Sequence, residues 1–462
     1  MSMYSIGLSG VLANQVALNV TASNTANATN ANYSRQVAEM NSVVSGDALA
    51  GVNIDSIRRI SDYGLSSQVR IGAEAYSKAS TLNSGLSSIE NLLGIDSLNI
   101  SDGMSNLLSA FSASSVNPES TVYRTQIMTA AKDISERFNR LSNQLNDQVN
   151  AAVEQQKSTV ANANGLIASI SDLNDQIKEA NAAGQSTNSL MDALDSEMKS
   201  LSKVMDFNVL NKPDGTVELS TNSGSPLISG NAYGQLYSGY YTGDDNDISI
   251  GVEFQGQSFN ASNKLGGVLG ANIELVNDSI NPTLDHLDGM AEALADTIND
   301  ALLSGLDLNG NNGSALFKYD PNSPANSLSI TDITTDEIAL ASKPAGYNPA
   351  TDSDLWVGNS DIATLISGLA TKKVDVNGTN ITLFDSYSEL VGTIGLKVKQ
   401  SDSMMTSAYE QLNQSEIAKS NYSGVNSDEE AVNLITYMNA YQANMKVIST
   451  AKDMFSSVIN AF

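Results

Sequence analysis

Apolar residues recur every seven positions at the C-terminal end of this chain. One row is Leu434, Tyr441, Ile448, Phe455 and Phe462; a second is Met438, Met445 and Ile459, interrupted by Lys452. Alternating steps of four and three put both rows on one helical stripe. That stripe is narrower than a globular core face and suits a coiled-coil seam. The helix predicted from Asp428 to Phe462 is roughly 50 Å long. A similar stripe opens the chain at Tyr4, Leu8, Val11, Leu18 and Ala22, within a helix predicted over 3–28. Leu8, Val11 and Leu18 are the expected counterparts of the C-terminal row. Asn24, Asn27, Asn30 and Asn32 then end the first helix, because asparagine competes for backbone hydrogen bonds and tolerates left-handed backbone. Tyr33-Ser34-Arg35-Gln36 leads into extended chain.

Between these ends the period changes twice. Leu82, Leu86, Ile89 and Leu93 mark a helical stretch over 62–93. Asn117-Pro118-Glu119 reads as a helix start, since proline is favoured in the first turn. Ile127, Ile134, Phe138, Leu141 and Leu145, then Leu166, Ile170, Leu173 and Ile177, continue one face as far as Gly184. An unbroken helix of that extent spans roughly 90 Å. A shorter helix is predicted over 188–204. From Asp206 the pattern becomes strand-like: Asn211-Lys-Pro-Asp-Gly215 is a hairpin turn with proline and glycine at the positions that need them, and Ile248, Ile250, Val252 and Phe254 alternate. Helix returns over 271–303, residues 305–385 are rich in Gly, Asn and Pro with short strand-like pieces, and helix resumes from about 387.

The predicted fold is mainly α with a β-rich insert. The N- and C-terminal helices pair into a coiled-coil or helical-bundle rod, and the middle segments form an outward-facing β domain. The divisions are 1–40 with 425–462 as the terminal pair, 41–204 with 268–304 and 386–424 as a helical rod domain, 205–267 as the β insert, and 305–385 as an irregular segment beside it.

Charge narrows the function. The chain carries 24 basic and 51 acidic residues, a net charge of −27, so phosphate backbones and anionic membranes repel it. Neither nucleic-acid binding nor membrane insertion is expected, and no apolar run has transmembrane length. MSMYSIGLSG lacks the basic and apolar regions of a cleavable export signal. Cysteine is absent, which excludes disulfides and thiolate chemistry. His286, the single histidine, lies one residue off its apolar helix face and is expected to be solvated. Asp307-Leu-Asn309-Gly-Asn311 resembles the start of a calcium loop. Its glycine falls one place late and Lys318 stands where the bidentate Glu belongs, so it reads as an Asn/Gly turn. Asp244-Asp245-Asn246-Asp247 is an acidic loop. Leu265-Gly-Gly-Val-Leu-Gly270 lacks the Lys-Ser/Thr of a phosphate loop. No catalytic, cofactor or metal constellation is found, and the expectation is a protein that is not an enzyme.

The last helix has a well-specified start. Ser427 with Glu430 has capping-box spacing, Asp428, Glu429 and Glu430 favour the positive helix end, and Gly424 permits a sharp turn before it. Ordering a chain costs about 1–2 kcal/mol per residue, more than one apolar seam returns in a lone helix. Both termini are therefore expected to be mobile in the free chain and to fold on assembly.

Asn24-Thr-Ala-Asn27 followed by Asn32-Tyr33-Ser-Arg35-Gln36 resembles the N-terminal signature of axial flagellar proteins. Ser423-Gly-Val-Asn-Ser-Asp-Glu-Glu430, Tyr441-Gln-Ala443 and Val447-Ile-Ser-Thr-Ala451 resemble their C-terminal signature. Rod, hook and junction proteins share these features. Asp214-Gly-Thr-Val217, Pro226-Leu-Ile-Ser-Gly230, Gly266-Gly-Val-Leu-Gly270, Leu287-Asp-Gly-Met-Ala291 and Gly305-Leu-Asp-Leu-Asn-Gly310 narrow the resemblance to hook-associated proteins of the FlgK family. Asn32 stands where that family usually has Gly, and Ala271 replaces a glycine. The resemblance implies a structural part of the bacterial flagellum at the junction of hook and filament, extracellular after type III export. It implies assembly with copies of itself, with hook protein and with a second junction protein of the FlgL type, and a chaperone holding the C-terminal helix before export. The alternatives are another axial protein of hook or rod type, a secreted adhesin, or an enzyme displayed on the flagellum.

Overall fold

A computed structural model of the chain describes residues 3–45, 48–240, 247–261, 264–347 and 358–460. Helix α1 (Met3–Ala26) leads into an antiparallel hairpin of β1 (Gln36–Ser45) and β2 (Ala48–Arg59), which the sequence showed only as extended chain. Then come α2 (Tyr63–Leu93), α3 (Ile100–Ser114), α4 (Thr121–Ala182) and α5 (Asn188–Val204). Asp62 caps α2 by accepting from the Leu65 N–H at 2.9 Å, and Asn99 caps α3 through Asp102. Along α4, Ile127, Ala131, Ile134, Phe138, Leu141 and Leu145 are fully buried, at the three- and four-residue spacing of one face.

Seven strands follow α5. β3 (Asn208–Asn211), β4 (Val217–Ser220), β5 (Pro226–Ser229) and β6 (Ala232–Tyr233) form one antiparallel sheet. β7 (Gln235–Tyr240), β8 (Ile248–Phe254) and β9 (Gln257–Asn260) form another. Helical asparagines pin both sheets. Asn174 of α4 donates to the Val217 carbonyl at 2.8 Å and accepts from its N–H at 3.0 Å, and Asn164 treats Leu236 the same way at 2.9 and 2.7 Å. A carboxamide used in this manner imitates the edge of a neighbouring strand, offering one donor and one acceptor side by side.

The helix expected over 271–303 has two parts, α6 (Gly267–Leu275) and α7 (Asn281–Leu303), joined by a π-helical turn at Val276–Ile280. Pro282 follows that turn and has no N–H for the Asp278 carbonyl four residues back. The Lys397 ammonium donates to that carbonyl instead. Next come β10 (Gly305–Leu306), β11 (Phe317–Lys318), α8 (Pro324–Ser327), β12 (Ser329–Ile330), β13 (Ala341–Ser342), α9 (Asp361–Ser367), β14 (Val374–Val376) and β15 (Thr379–Ile381). Two long helices close the chain, α10 (Leu383–Ser423) and α11 (Ser427–Ile459). One buried apolar cluster runs without a break from α2 through both sheets and the 305–385 segment to α10. α1 and α11 lie outside it.

Candidate functional site

Helix α1 packs antiparallel on α11 at close range. A Cβ added at Gly7 would lie 2.9 Å from Ile448 Cγ1, and one at Gly10 would lie 2.4 Å from Asn444 Oδ1. The two backbones approach so closely because those positions carry no side chain. The half-buried residues of α11 are Asn433, Tyr437, Ala440, Tyr441, Asn444, Val447, Ile448 and Ala451. This is a heptad row set mostly one position, or about 100°, back from the apolar one.

Within the chain the expected seam is engaged only in part. Tyr4 is 50% and Leu8 40% exposed, Leu18 is half-buried, and only Val11 of that row is buried. On α11, Tyr441 and Ile448 are half-buried, whereas Leu434, Met438, Met445, Phe455 and Ile459 are exposed, Phe455 at 67%. Phe462 lies outside the described residues. The two apolar stripes cover each other only in part: Gly7 and Gly10 meet Asn444, Val447 and Ile448, while Tyr4, Leu8, Leu434, Met438, Met445, Phe455 and Ile459 face outward. The signal for this was present in Gly7-Leu-Ser-Gly10: two glycines inside a helix weaken it and imply close packing.

The elbow between this terminal pair and the helical body is polar. The Asn24 side chain, 1% exposed, is fully used. Its Oδ1 accepts from the Tyr33 hydroxyl at 2.8 Å and the Gln36 N–H at 3.0 Å, and its Nδ2 donates to the Gln36 carbonyl at 2.9 Å and to Glu430 Oε1 at 3.1 Å. The Arg35 N–H donates to the Ser423 carbonyl at 2.8 Å, and its guanidinium meets Glu429 at 3.0 Å. Arg59, which pairs with Gln36 at this same end of the hairpin, binds Asp192, at 2.7 Å, and Asp195. Burial opposes the charge of Arg59, yet the two carboxylates outweigh it and hold its pKa above the ordinary arginine value. Asn24, Tyr33, Arg35 and Gln36 thus meet Glu430 in one place. Asn27 and Asn32 do not join them: Asn27 bonds back to the Ser23 carbonyl, and Asn32 is exposed. Asn32 does not adopt positive φ; among the described non-glycine residues that conformation belongs to Gln255 and Asn377.

The cap of α11 also differs from expectation. Asn426 is the N-cap, its Oδ1 accepting from the Asp428 and Glu429 N–H groups at 2.9 and 3.4 Å. This starts the helix one residue early, places Ser427 inside it, and frees Glu430 to turn toward Asn24. Gly424 has extended backbone; its lack of a Cβ matters because one would stand 2.4 Å from the Ser420 carbonyl oxygen.

The other candidate chemistry resolves into structure. His286 is half-buried, and its Nε2 lies 2.8 Å from Ser386 Oγ, joining α7 to α10. Asp307 is buried, and its Oδ1 accepts from the N–H groups of Asn309 and Asn311 at 2.8 and 2.7 Å, so the turn is closed on its own backbone. The Gly266 and Gly267 N–H groups, where a phosphate loop would hold its anion, donate to Asp206 and Glu74 at 2.7 and 3.0 Å. Among the described residues no group of three or more His, Cys, Asp or Glu has metal-binding geometry. Asp244, Asp245 and Asn246 lie outside the described residues. No described helix is long and apolar enough to cross a membrane.

A long helical body with two outward apolar stripes on its paired termini defines an elongated structural subunit. Comparison with known proteins gives that class a family. A family model for the helical domain of flagellar hook-associated protein FlgK matches residues 86–317, half of the chain, and a model for the C-terminal region of the flagellar basal body rod FlgEFG proteins matches 420–461. The chain is 26% identical to flagellar hook-associated protein 1 of Bacillus subtilis, with 97% of this chain and 96% of that protein covered. It is 24% identical to the Salmonella typhimurium protein of the same name, with 99% of each covered. The flagellar hook junction protein FlgK from Burkholderia pseudomallei has the same fold, with a TM-score of 0.68 at 15% identity over 76% of this chain and 99% of that one. The chain belongs to the FlgK family of flagellar hook-associated proteins.

Proposed function

We propose that this chain is a structural subunit of the bacterial flagellum, placed at the junction of hook and filament and required for the filament to assemble. One observation carries the reading. Leu434, Met438, Met445, Phe455 and Ile459 form an exposed apolar row on a terminal helix that its own chain leaves uncovered. Such a surface on a protein of this charge calls for a protein partner. The family supplies the setting, and the names of the relatives support the position at the hook.

In this reading the partners are copies of the same chain, the hook protein below and a second junction protein of the FlgL type above. The subunit works outside the cell after export, and an export chaperone covers the C-terminal helix beforehand. The terminal segments 1–40 and 425–462 act as the inner assembly unit, the rod segments 41–204, 268–304 and 386–424 carry it, and 205–267 and 305–385 face outward. The termini complete their folding on assembly. The chemistry asked of the chain is packing rather than catalysis.

Deletion of the gene in the motile source, followed by electron microscopy and assay of the medium for free filament protein, tests this. Hooks without filaments, with filament subunits shed into the medium, are expected. Missing hooks would place the chain earlier on the axis, a reading that the rod-type match of residues 420–461 keeps in view. Normal flagella would overturn the proposal.

A further inference from the structure

Glu430 is the one buried side chain of α11, at 2% exposure. A helix with so exposed an apolar row is held at its base by a carboxylate. That carboxylate reaches Asn24, across 406 positions of sequence, at 3.1 Å. Neither end of the chain can build this contact alone. Apolar packing tolerates a range of helix angles; a hydrogen bond with all four valences of its amide engaged does not. Burial raises the pKa of the Tyr33 hydroxyl that completes the set, against the Ser23 hydrogen bond and with Asp192 and Glu430 adding to the rise.

The joint is also incompletely satisfied. Glu430 Oε2, Arg35 Nε and Ser423 Oγ are buried here without hydrogen-bond partners. Buried polar atoms left unpaired weaken the closed form. The contact is therefore directional and shared between the two ends of the chain.

We infer that Asn24 and Glu430 form a latch that makes docking of the two termini a single event and sets the angle between the terminal pair and the helical body. They are positioning residues: they orient the apolar stripes for a neighbouring subunit without belonging to the stripes. The inference rests on the junction role proposed above.

The test complements the deletion strain with N24D, E430Q and the double variant. N24D removes two donors and sets a second carboxylate against Glu430. E430Q keeps an acceptor for Asn24. The double variant restores an amide–carboxylate pair with the roles exchanged. For N24D, export is expected at the normal level while filament number falls at least about tenfold, as loss of a charged buried hydrogen bond implies. E430Q is expected to stay within about threefold of the parent, and the double variant to recover most of what N24D loses. Normal filaments in N24D, or a double variant no better than N24D, would overturn the latch. So would a thermal transition of the helical body lowered in purified N24D, since the pair would then be stabilising the fold at large. Filaments on the deletion strain itself would count against the junction role, a result read without any variant.

Discussion

Helices α4 and α11 are both long and amphipathic, yet they end in opposite situations. α4 buries its apolar face from Ile127 to Ile177 against strands and helices of its own chain. α11 buries Glu430 and leaves its apolar row in solvent. Periodicity says that a stripe needs cover; it does not say whose. The polar positions differ as well. On α4, Gln156, Asn164 and Asn174 turn inward to hold strands. On α11, Asn444 sits against Gly10 and keeps α1 close without sealing the stripe.

The contrast can be broken from either side. Ile448→Asp should abolish filament assembly while the helical body melts as before, because Ile448 lies against Gly7 at the terminal pair and outside the buried cluster; a normally assembled variant, checked by electron microscopy, would remove the seam from the argument. Phe138→Ala should cost about 3–5 kcal/mol in urea unfolding, the range for a fully buried aromatic. Phe455→Ala on α11 should stay within about 0.5 kcal/mol in the same titration and yet reduce assembly. Equal costs at the two phenylalanines would erase the difference between the helices. Gly10→Ala should weaken docking of α1 on α11 by about 1–2 kcal/mol through overpacking against Asn444, seen as faster amide exchange in α1 or as reduced assembly, with the helical body unaffected.

The smallest effect concerns Glu74. Burial lifts its carboxyl above the ordinary glutamate value, outweighing the Gly267 N–H that favours ionisation. The folded chain then binds this proton more readily than the unfolded one, so this group stabilises the fold in acid and loses that contribution as pH rises through the folded pKa. Glu74→Gln keeps an acceptor for Gly267 and does not titrate. Its stability relative to the parent should improve as pH rises from acid to neutral; a flat difference in denaturant midpoints would contradict the assignment.

Much of the body was legible in the sequence. The helix expected over 62–93 is Tyr63–Leu93, and the one over 188–204 is Asn188–Val204. Their stripes are met within the chain, so period and position coincide. α3 was not seen, although Ile100, Met104, Leu107 and Phe111 carry a helical period, because serine and asparagine crowd between them. The hairpin β1–β2 was read only as extended because α1 covers part of it, which leaves no clean alternation. The elbow was partly legible: Asn24, Tyr33, Arg35 and Gln36 stood out as a motif. Their partner did not, since Ser427 and Glu430 have capping-box spacing whichever residue caps the helix. A contact between the two ends of a chain leaves no mark in local spacing.

The length of α4 has a mechanical consequence. At its start, Arg124 is clasped to the carbonyls of Pro118, Thr335 and Ile338, and near its end Asn181 and Lys178 hold Asp214 and Asn231. The 305–385 segment and the 205–267 insert, expected side by side, are instead bolted to opposite ends of one uninterrupted strut. A twist applied to either is carried along the strut's hydrogen-bonded turns rather than through loops. Under load such a body is expected to resist as a shaft, with compliance concentrated at the elbow.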